Sequence, residues 1–592
     1  MTDVIRIANC SGFYGDRLGA ARELVDGGPI DVLTGDYLAE LTMSILHRQR
    51  VSRGEDMGYV GTFLKQVEEV AATCKERNIK IVSNAGGLNP QSLAQETENL
   101  LKKADVSLQV AYIDGDDLQP RLDELIGGGH FLENLDTAQT LSDSKYPVLT
   151  ANAYLGAWGI KEALEQGADI VICPRVTDAA VVMGAAAWKF NWARNDFDAL
   201  AGALAAGHII ECGAQCCGGN FAFFEEVPSF RNVGYPIAEI EADGSFTITK
   251  HPGTGGLVSV DTVKAQLLYE ISGPDYLNPD VVAHFDTMEI EQIGPDRVRV
   301  SGTRGSSPPP THKVCINTNG PAKKLVEVLM TGLDIEKKAD LYVDQVLHNL
   351  GGRETFDDVE VQLIRSDKDN PENNEVAHAT LRMIFTSDDP RKLGRLFSAK
   401  VTELGLACVP GITGRASAGF DGSPVIIHWP ALIDSAVITE RVHFAGRMIE
   451  VLPTQRMNFE IVPYPETSVH VAPYDLAEDC EIALGRIFGS RSGDKGGNAN
   501  CGVWARSEDA YRFLYHFLTV ERFKVLCPDI AHFEIERYEM PNLLALNFQI
   551  NGLLGTGAGS NHRIDRQAKT LGEYLRAKRI RVPQSLVPYA DN

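Results

Sequence analysis

The feature that most constrains this chain is the alternation of short apolar runs with amphipathic segments over its first third. The runs at residues 30–34, 79–83 and 170–172 are rich in β-branched side chains, which is typical of strands, and helical periodicity marks the segments between them. Strands that alternate with helices predict βαβ units and a parallel sheet. The right-handed crossovers of such a sheet place the carboxyl ends of its strands along one edge.

Polar side chains stand at the ends of the predicted strands, which is where open α/β sheets bind ligands. These side chains are Asn9, Asp36, Asn84, Asp114, Asn152, Arg175 and Asp178. We therefore expect them to meet at one rim of the sheet, and we expect a site there.

The run at 170–172 turns through a proline into Arg175, Thr177 and Asp178, and a helical segment follows. Thr177 and Asp178 suit the N-cap of that helix as well as a binding site. The Arg175 guanidinium suits a substrate carboxylate or phosphate. Asp36 or Asp178 would serve as the acid–base catalyst if a dry site raises its pKa.

Amide side chains and glycines complete the substrate-binding residues predicted at this rim. Asn84 and Asn152 would orient the substrate or donate a hydrogen bond to an enolate oxygen. Gly86 and Gly87 would let backbone N–H groups approach an anion, or they form a tight turn, and both interpretations stay open. Neither Gly-x-Gly-x-x-Gly nor Gly-x-x-x-x-Gly-Lys-Ser/Thr follows a predicted strand, so no nucleotide cofactor is predicted.

Charge and composition exclude several classes of protein. Lys plus Arg is 56 and Asp plus Glu is 80, a formal net charge of −24, which argues against a general nucleic-acid binder. No apolar run approaches the roughly 20 residues that span a bilayer, so no membrane association is expected. The N-terminus shows no secretory signal and the 11 cysteines are scattered, which predicts reduced thiols and a cytoplasmic protein.

Three cysteines close together invite a metal or nucleophile interpretation. Cys212, Cys216 and Cys217 lack the second pair of ligands of a zinc ribbon, and His-Glu-x-x-His does not occur, so no metal site is predicted. Small buried residues in a tight crossing are the favoured interpretation, and a reactive thiol stays open.

The chain is predicted to be an α/β protein of three regions. Residues 1–220 form a Rossmann-like parallel sheet, residues 221–460 an α+β region, and residues 480–592 a ferredoxin-like α+β domain. In the middle region, the pattern at 322–331 predicts a helix. Four prolines between residues 452 and 479 predict an extended connector.

Residues 489–500 form the densest polar motif of the chain, and we predict a glycine-rich loop there. Arg491 and Lys495 would hold an anion, and Asp494 and Asn498 would fix the two cations. The alternative is an Asx/Gly turn with a local salt bridge.

Several of these segments carry a family resemblance. Residues 6–17, residues 31–40, Asn84-Ala-Gly-Gly87 and Cys173-Pro-Arg-Val-Thr-Asp178 are similar to the acyclic terpene utilisation family AtuA, and residues 491–500 resemble the ferredoxin-fold domain appended in that family. The resemblance covers nearly the whole chain. It implies a bacterial or fungal catabolic role, in the breakdown of citronellol, geraniol or related branched acyl-CoA acids, and it assigns no catalytic residue.

Three functional hypotheses follow. The favoured one is a lyase or hydratase that acts on an acyl-CoA thioester or a branched carboxylic acid, and the protein is expected to be a homo-oligomer. Arg491 and Lys495, from the same or from a neighbouring subunit, would grip phosphate. The second is a non-catalytic binding or assembly partner of an enzyme in an acyl-CoA carboxylase pathway. The third is a metal-assisted hydrolase that uses Asp36, Asp114 and Asp178.

Overall fold

The computed structural model describes residues 4–414, 422–454, 471–472, 474 and 480–587. The chain forms two compact units: unit 1 comprises Met1–Asn317, His428–Ala558 and Asp565–Asn592, and unit 2 comprises Thr318–Ile427 and Gly559–Ile564. These boundaries differ from the divisions predicted at residues 220, 460 and 480. The connector predicted at 452–479 lies for the most part outside the described residues.

The secondary structure of the described residues alternates between strands and helices in the first third of the chain and is richer in strands beyond it. The strands are β1 (Val4–Asn9), β2 (Val32–Gly35), β3 (Lys80–Ser83), β4 (Val110–Asp114), β5 (Val148–Ala153), β6 (Ile170–Ile172), β7 (Pro236–Glu241), β8 (Phe246–Lys250), β9 (Asp275–Leu277), β10 (Val282–His284), β11 (Glu289–Gly294), β12 (Arg297–Ser301), β13 (Arg304–Ser306), β14 (Thr311–Thr331), β15 (Asp358–Ile364), β16 (His378–Ser387), β17 (Ile412–Gly414), β18 (Ser423–Asp434), β19 (Glu440–Phe444), β20 (Arg447–Val451), β21 (Cys480–Ala483), β22 (Gly489–Lys495), β23 (Asn498–Trp504), β24 (Ile535–Met540), β25 (Ala545–Ile550) and β26 (Arg579–Val582). The α-helices are α1 (Ala20–Gly27), α2 (Glu40–Arg53), α3 (Thr62–Arg77), α4 (Pro90–Lys103), α5 (Leu122–Gly127), α6 (Trp158–Glu165), α7 (Ala180–Phe190), α8 (Phe197–Ile210), α9 (Val260–Leu267), α10 (Ile335–Leu350), α11 (Arg395–Thr402), α12 (Glu508–Phe517), α13 (Val520–Leu526) and α14 (Leu571–Arg576). Within the described part of the chain, no helix combines the length and the apolar character that crossing a bilayer requires.

A mixed sheet of eleven strands in unit 1 carries most of the polar strand ends. Its order in the described chain is β11-β12-β8-β7-β1-β2-β3-β6-β4-β19-β20. The central strands β1, β2, β3, β6 and β4 run parallel, and the six outer strands join antiparallel. The protein is thus of mixed α/β class, but the Rossmann-like arrangement is not confirmed, because antiparallel strands extend both edges and β5 pairs with β14 instead.

The parallel centre of this sheet is buried on both faces, which explains its uninterrupted apolar runs. In β6, Ile170 and Ile172 belong to one core cluster and Val171 belongs to the other. Helices α7 and α8 pack on the Val171 side, and their residues are almost all buried. Helices that are apolar all round must be covered on every side, and the buried residues of α7 and α8 show that these two are.

Residues 322–331 are the second half of strand β14, so the helix predicted there was wrong. Burial alternates residue by residue along this segment, and it pairs with β16 from Ala322 opposite Ser387 to Thr331 opposite His378. Apolar residues that follow one another in pairs also fit a helical pattern. The long cross-strand ladder with β16, which is remote in sequence, decides for the strand.

The segment 489–500 is a β-hairpin, so the loop predicted there was also wrong. Strand β22 pairs with β23 until Lys495 stands opposite Asn498, which leaves a two-residue turn at Gly496 and Gly497. Ser492 is buried and has distant partners: its Oγ donates to the Ala568 carbonyl at 2.6 Å and accepts from the Gly572 N–H at 2.9 Å. The hairpin belongs to a four-stranded antiparallel sheet in the order β22-β23-β25-β24.

Candidate active site

Two of the predicted strand-end residues are in direct contact. The Asn84 side-chain amide, which follows β3, donates to Asp36 Oδ1 at 2.6 Å, and Asp36 follows β2. The Leu38 N–H donates to the same oxygen at 3.3 Å, and the side-chain oxygen Oδ1 of Asn84 accepts from the Tyr37 N–H at 2.9 Å. These bonds leave the Asp36 carboxyl a single orientation at the rim, although it is only 5% exposed.

Arg175 is the most completely buried charge at the rim, with 1% of its surface exposed. One guanidinium nitrogen donates to Asp178 Oδ1 at 2.7 Å and to the Val176 carbonyl at 3.0 Å. The Tyr154 ring centroid lies 4.1 Å from the guanidinium carbon, which is a cation–π contact. Among the described residues, Arg175 Nε is buried without a hydrogen-bond partner. A buried N–H left unpaired costs about 1–3 kcal/mol, so this atom points to a ligand.

Asn152 supports the backbone of Arg175 through a third residue. Its side-chain N–H donates to Asp116 Oδ2 at 2.7 Å, and the same oxygen accepts from the Arg175 backbone N–H at 3.3 Å. Thr177, two residues further, accepts from the side-chain amide of Asn278 at 2.9 Å. Asn152 and Thr177 therefore lie beside Arg175, and Asp116 is a neighbour that sequence analysis missed.

Glu211 is the other carboxyl group that sequence analysis missed. It follows helix α8 and is 7% exposed, and its Oε1 lies 3.1 Å from His208 Nδ1. Its Oε2 is buried and has no partner in the part of the chain that the structure describes. Asn9, at the end of β1, donates to the Glu211 carbonyl at 3.0 Å and so holds this residue against the rim. A carboxylate at the C-terminus of an apolar helix interacts unfavourably with the helix dipole. This placement is the sequence signal from which Glu211 could have been predicted as a functional residue.

Burial and mutual repulsion favour the protonated form of Asp36 and Glu211. Burial raises the pKa of Asp36 most, and the charges of Asp178 and Glu211 raise it further, against Arg175. Burial likewise raises the pKa of Glu211 well above its ordinary value, followed by the charges of Asp178 and Glu270. Carboxyl groups that share a dry site cannot all ionise, which is how enzymes prepare a general acid.

The C-terminal hairpin faces this cluster from within the same unit of the same chain, so no neighbouring subunit is required. Burial, and then the charge of Asp494, raise the pKa of Glu270 to about 7, against the opposing charge of Lys495. Lys495 Nζ lies 5.4 Å from the Tyr276 ring centroid, and Arg491 lies 4.4 Å from that of Tyr269. The hairpin thus brings two cations toward the acidic rim.

Polar groups near the turn of the hairpin fix its position. The Asn500 side chain accepts from the Glu270 N–H at 2.9 Å and donates to the Leu268 carbonyl at 2.6 Å, which ties β23 to the end of α9. Asn498 accepts from the Gly552 N–H at 2.8 Å, so its amide supports the turn. Burial and then the charge of Glu40 raise the pKa of Asp494 to about 6.

The two glycines after Asn84 serve packing in the structure. The Gly86 N–H donates to the Cys173 carbonyl at 3.0 Å, and the Gly87 N–H donates to the Asn84 carbonyl at 3.2 Å. Gly87 has φ +54°, and a Cβ there would lie 2.3 Å from Leu46. Both N–H groups are already used, which favours the turn interpretation over an anion site.

Asp114 stands apart from the other predicted carboxylates. Its two oxygens accept from Arg441 Nε at 2.6 Å and from His443 Nε2 at 2.9 Å, both on β19. Within the described residues, no group of three or more His, Cys, Asp or Glu is arranged to hold a metal ion. The donor set of Asp36, Asp114 and Asp178 is therefore not assembled.

The clustered cysteines carry no sign of a reactive thiol. Burial raises the pKa of Cys212 well above its ordinary value, and the charges of Glu211 and Glu270 raise it further. Burial also raises the pKa of Cys216. Thiols that resist ionisation are poor nucleophiles, so packing is the favoured role.

Replacing Asp116 by asparagine is expected to flatten the pH dependence of stability. Burial, and then the charge of Asp117, raise the pKa of Asp116 to about 8, whereas an unfolded aspartate has a pKa of about 3.9. The folded protein keeps a proton that the unfolded chain releases. Asp116 therefore lowers the free energy of unfolding by up to roughly 1.4 kcal/mol per pH unit as the pH rises between those two values.

Urea unfolding at pH 5 and pH 8 measures this effect. The loss of stability from pH 5 to pH 8 should be smaller in Asp116→Asn than in the wild type, and unchanged in the control Asp105→Asn, which alters an exposed aspartate. Equal pH dependence in Asp116→Asn and the wild type would show that Asp116 is ionised in the folded protein.

Comparison with known families places these motifs in context. The model of the acyclic terpene utilisation family protein AtuA matches residues 5–444, and the model of the AtuA ferredoxin-like domain matches residues 482–581. Neither the comparison with curated proteins nor that with solved structures gave a significant match. The first family model covers well over half of the chain and the second covers the domain that carries the hairpin. The chain therefore belongs to the AtuA family and carries the ferredoxin-like domain of that family.

Proposed function

We propose that the protein is an enzyme of acyclic terpene or branched-acid breakdown that applies acid–base catalysis to an acyl-CoA thioester or a branched carboxylic acid, as a lyase or hydratase. The observation that carries this proposal is the buried cluster of Asp36, Glu211 and Arg175, in which burial and neighbouring charges raise the pKa of both carboxyl groups. Glu211 Oε2 and Arg175 Nε in this group are buried and find no partner among the residues that the structure describes. A substrate bound at the rim would give both atoms a partner if it takes a proton from Glu211 and accepts a hydrogen bond from Arg175 Nε.

Two cations of the site, Arg175 and Lys495, indicate that the substrate carries a negative charge. Arg175 has one carboxylate partner, Asp178. Burial lowers the pKa of Lys495, and the charge of Lys313 lowers it further, because a dry site close to another cation disfavours its ammonium form. A carboxylate or phosphate of the substrate bound to Arg175 and Lys495 would offset that cost.

The two alternative functions differ in what supports them. A metal-assisted hydrolase is disfavoured because Asp114 is bound by Arg441 and His443. A non-catalytic partner of an acyl-CoA carboxylase pathway enzyme would not need a protonated carboxyl pair in a buried site. The cytoplasmic location and the homo-oligomeric state expected from the sequence are parts of the proposal.

Calorimetric titration and turnover assays with the full chain test this function. The ligands are CoA thioesters of straight and branched short-chain acids, the free acids, and CoA itself. We expect binding of the thioesters and turnover of at least one, detected by mass spectrometry. Absence of binding and turnover across these ligands, together with co-purification of a carboxylase pathway enzyme, would replace the proposal by the assembly-partner hypothesis.

A further inference from the structure

A further carboxylate, Glu40, lies on the Tyr154 side of Arg175. It is the first residue of α2, where the helix dipole favours a negative charge. The Tyr154 hydroxyl donates to Glu40 Oε1 at 2.7 Å, and Lys313 Nζ lies 3.4 Å from the same oxygen. The Asn317 side chain donates to the Glu40 carbonyl at 3.0 Å, which fixes the start of the helix. Glu40 is therefore held in place by both its backbone and its side chain.

The surroundings of Glu40 favour its ionised form, in contrast to Asp36 and Glu211. The charged and titratable groups that face it are Arg175, Lys313, Lys495, His428, Tyr154, Cys315 and Asp494. Burial alone would raise the pKa of Glu40, but the positive charges outweigh burial and hold the pKa well below its ordinary value. Burial lowers the pKa of His428 to about 4, so His428 is neutral at pH 7, and Lys313 and Arg175 supply the positive charge there.

The surroundings thus favour the ionised form of Glu40 and the protonated form of Glu211, and both groups have Arg175 as a neighbour. We infer that Glu40 is the general base and Glu211 the general acid, and that the substrate is a 3-hydroxyacyl thioester that is dehydrated, or the 2,3-unsaturated thioester that is hydrated. This inference rests on the proposed function and assigns its two proton transfers. Carboxyl groups kept in opposite protonation states by their surroundings are the usual sign of such a division of roles.

Unpartnered atoms occur on both the Glu40 and the Glu211 sides of Arg175. His428 is 8% exposed, and its Nδ1 lies 3.9 Å from Cys315 Sγ. His428 Nε2, Glu211 Oε2 and Arg175 Nε are all buried without a partner within residues 4–414, 422–454 and 480–587. A substrate with a carbonyl and a hydroxyl offers these groups more than one hydrogen-bonding partner.

In the dehydration direction, the Glu40 carboxylate removes the proton from C2, and the C–H electron pair forms the C2–C3 double bond. The C3–O bond breaks, and the Glu211 carboxyl proton passes to the departing oxygen, which leaves as water. Glu40 ends protonated and Glu211 ends ionised, so one proton returns from Glu40 to Glu211 through solvent to reset the site. The Tyr154 hydroxyl stabilises the Glu40 carboxylate before the step, and Arg175 stabilises the Glu211 carboxylate after it.

Deuterium exchange separates the two roles. The probes are 3-hydroxybutyryl-CoA and 3-hydroxy-3-methylbutyryl-CoA, incubated with the full chain in D2O and analysed by mass spectrometry for deuterium at C2 and for the unsaturated product. We expect Glu211→Gln to lose elimination by about 100-fold or more while it keeps exchange at C2. Glu40→Gln should lose both by about 100-fold or more, with thioester affinity retained.

The control is Glu239→Gln, since Glu239 is another ion-paired glutamate of unit 1, bound to Arg297 at 2.5 Å. It should retain exchange and elimination, and partial recovery in Glu40→Asp would show that the carboxylate itself is required. Exchange at the wild-type rate in Glu40→Gln, alongside wild-type turnover, would overturn the inference and leave the proposed function intact. Failure of the wild type to bind or convert any thioester would overturn the proposed function itself.

Discussion

Replacing Glu211 by glutamine is expected to lower kcat by about 10²–10⁴-fold while fold and substrate affinity are kept. The amide retains the shape of the side chain and a carbonyl oxygen for the contact with His208, which lies 3.1 Å from Glu211 Oε1. What the variant loses is the proton that burial and the neighbouring charges of Asp178 and Glu270 keep on this carboxyl group. The effect should therefore appear in the chemical step.

The pH profile gives a second measurement of the same prediction. A general acid works only while protonated, so wild-type activity should fall as the pH rises through the raised pKa of Glu211. The residual activity of Glu211→Gln should lack that decline. A kcat within a few-fold of the wild type in Glu211→Gln would remove Glu211 from the chemistry.

Glu440→Gln is the matched control. Glu440 is also a buried glutamate of unit 1, and burial followed by the charge of Asp280 raises its pKa to about 8. Its carboxylate accepts from the Gly159 N–H at 3.1 Å, at the start of α6. This variant should retain the wild-type kcat, because a raised pKa alone does not place a carboxyl group at the rim.

Replacing Arg175 by methionine is expected to weaken thioester binding by about tenfold to 100-fold. Methionine keeps most of the volume, so the variant removes the charge and its hydrogen bonds, each worth about 1.5–3 kcal/mol when a charged group is involved. Arg175 also lowers the pKa values of Asp36 and Glu211, so both should rise further in the variant. Calorimetric titration measures the first effect.

Arg194→Met is the control for this change. Arg194 also lies over an aromatic ring, with its guanidinium carbon 4.6 Å from the Trp158 ring centroid, and donates to Thr454 Oγ at 3.2 Å. It removes the same kind of cation–π contact outside the candidate site. Equal weakening of thioester binding in both variants would indicate a general loss of structure rather than a lost substrate contact. Unchanged binding in Arg175→Met would exclude Arg175 from the substrate site.

Local sequence patterns predicted the structure correctly where it depends on residues that are adjacent in the chain. The three-residue strand β6 was predicted from its β-branched run because a strand buried on both faces must be apolar throughout. The polar residues after β2, β3 and β6 were expected at one edge, and Asn84 does contact Asp36. Parallel connection alone is enough to bring these strand ends together.

Prediction failed where partners lie far apart in the chain. The segment 322–331 takes its strand conformation from β16, and the hairpin at 489–500 takes its buried partners from residues 568 and 572. Asp114 has the sequence context of Asp36, but β19 adds to the sheet beside it and supplies Arg441 and His443. No local pattern contains that pairing.

The sequence by itself determined the family, the alternation of strands and helices in the first third, and the set of polar residues at the parallel strand ends. Only the tertiary structure shows which carboxyl groups surround Arg175, because Glu40 and Glu211 lie at the ends of helices that are far from Arg175 in the chain. It also set the opposite directions in which their pKa values are shifted, since a pKa depends on burial and on nearby charges. Those charges come from Lys313, Asp178 and the hairpin, which only folding brings together.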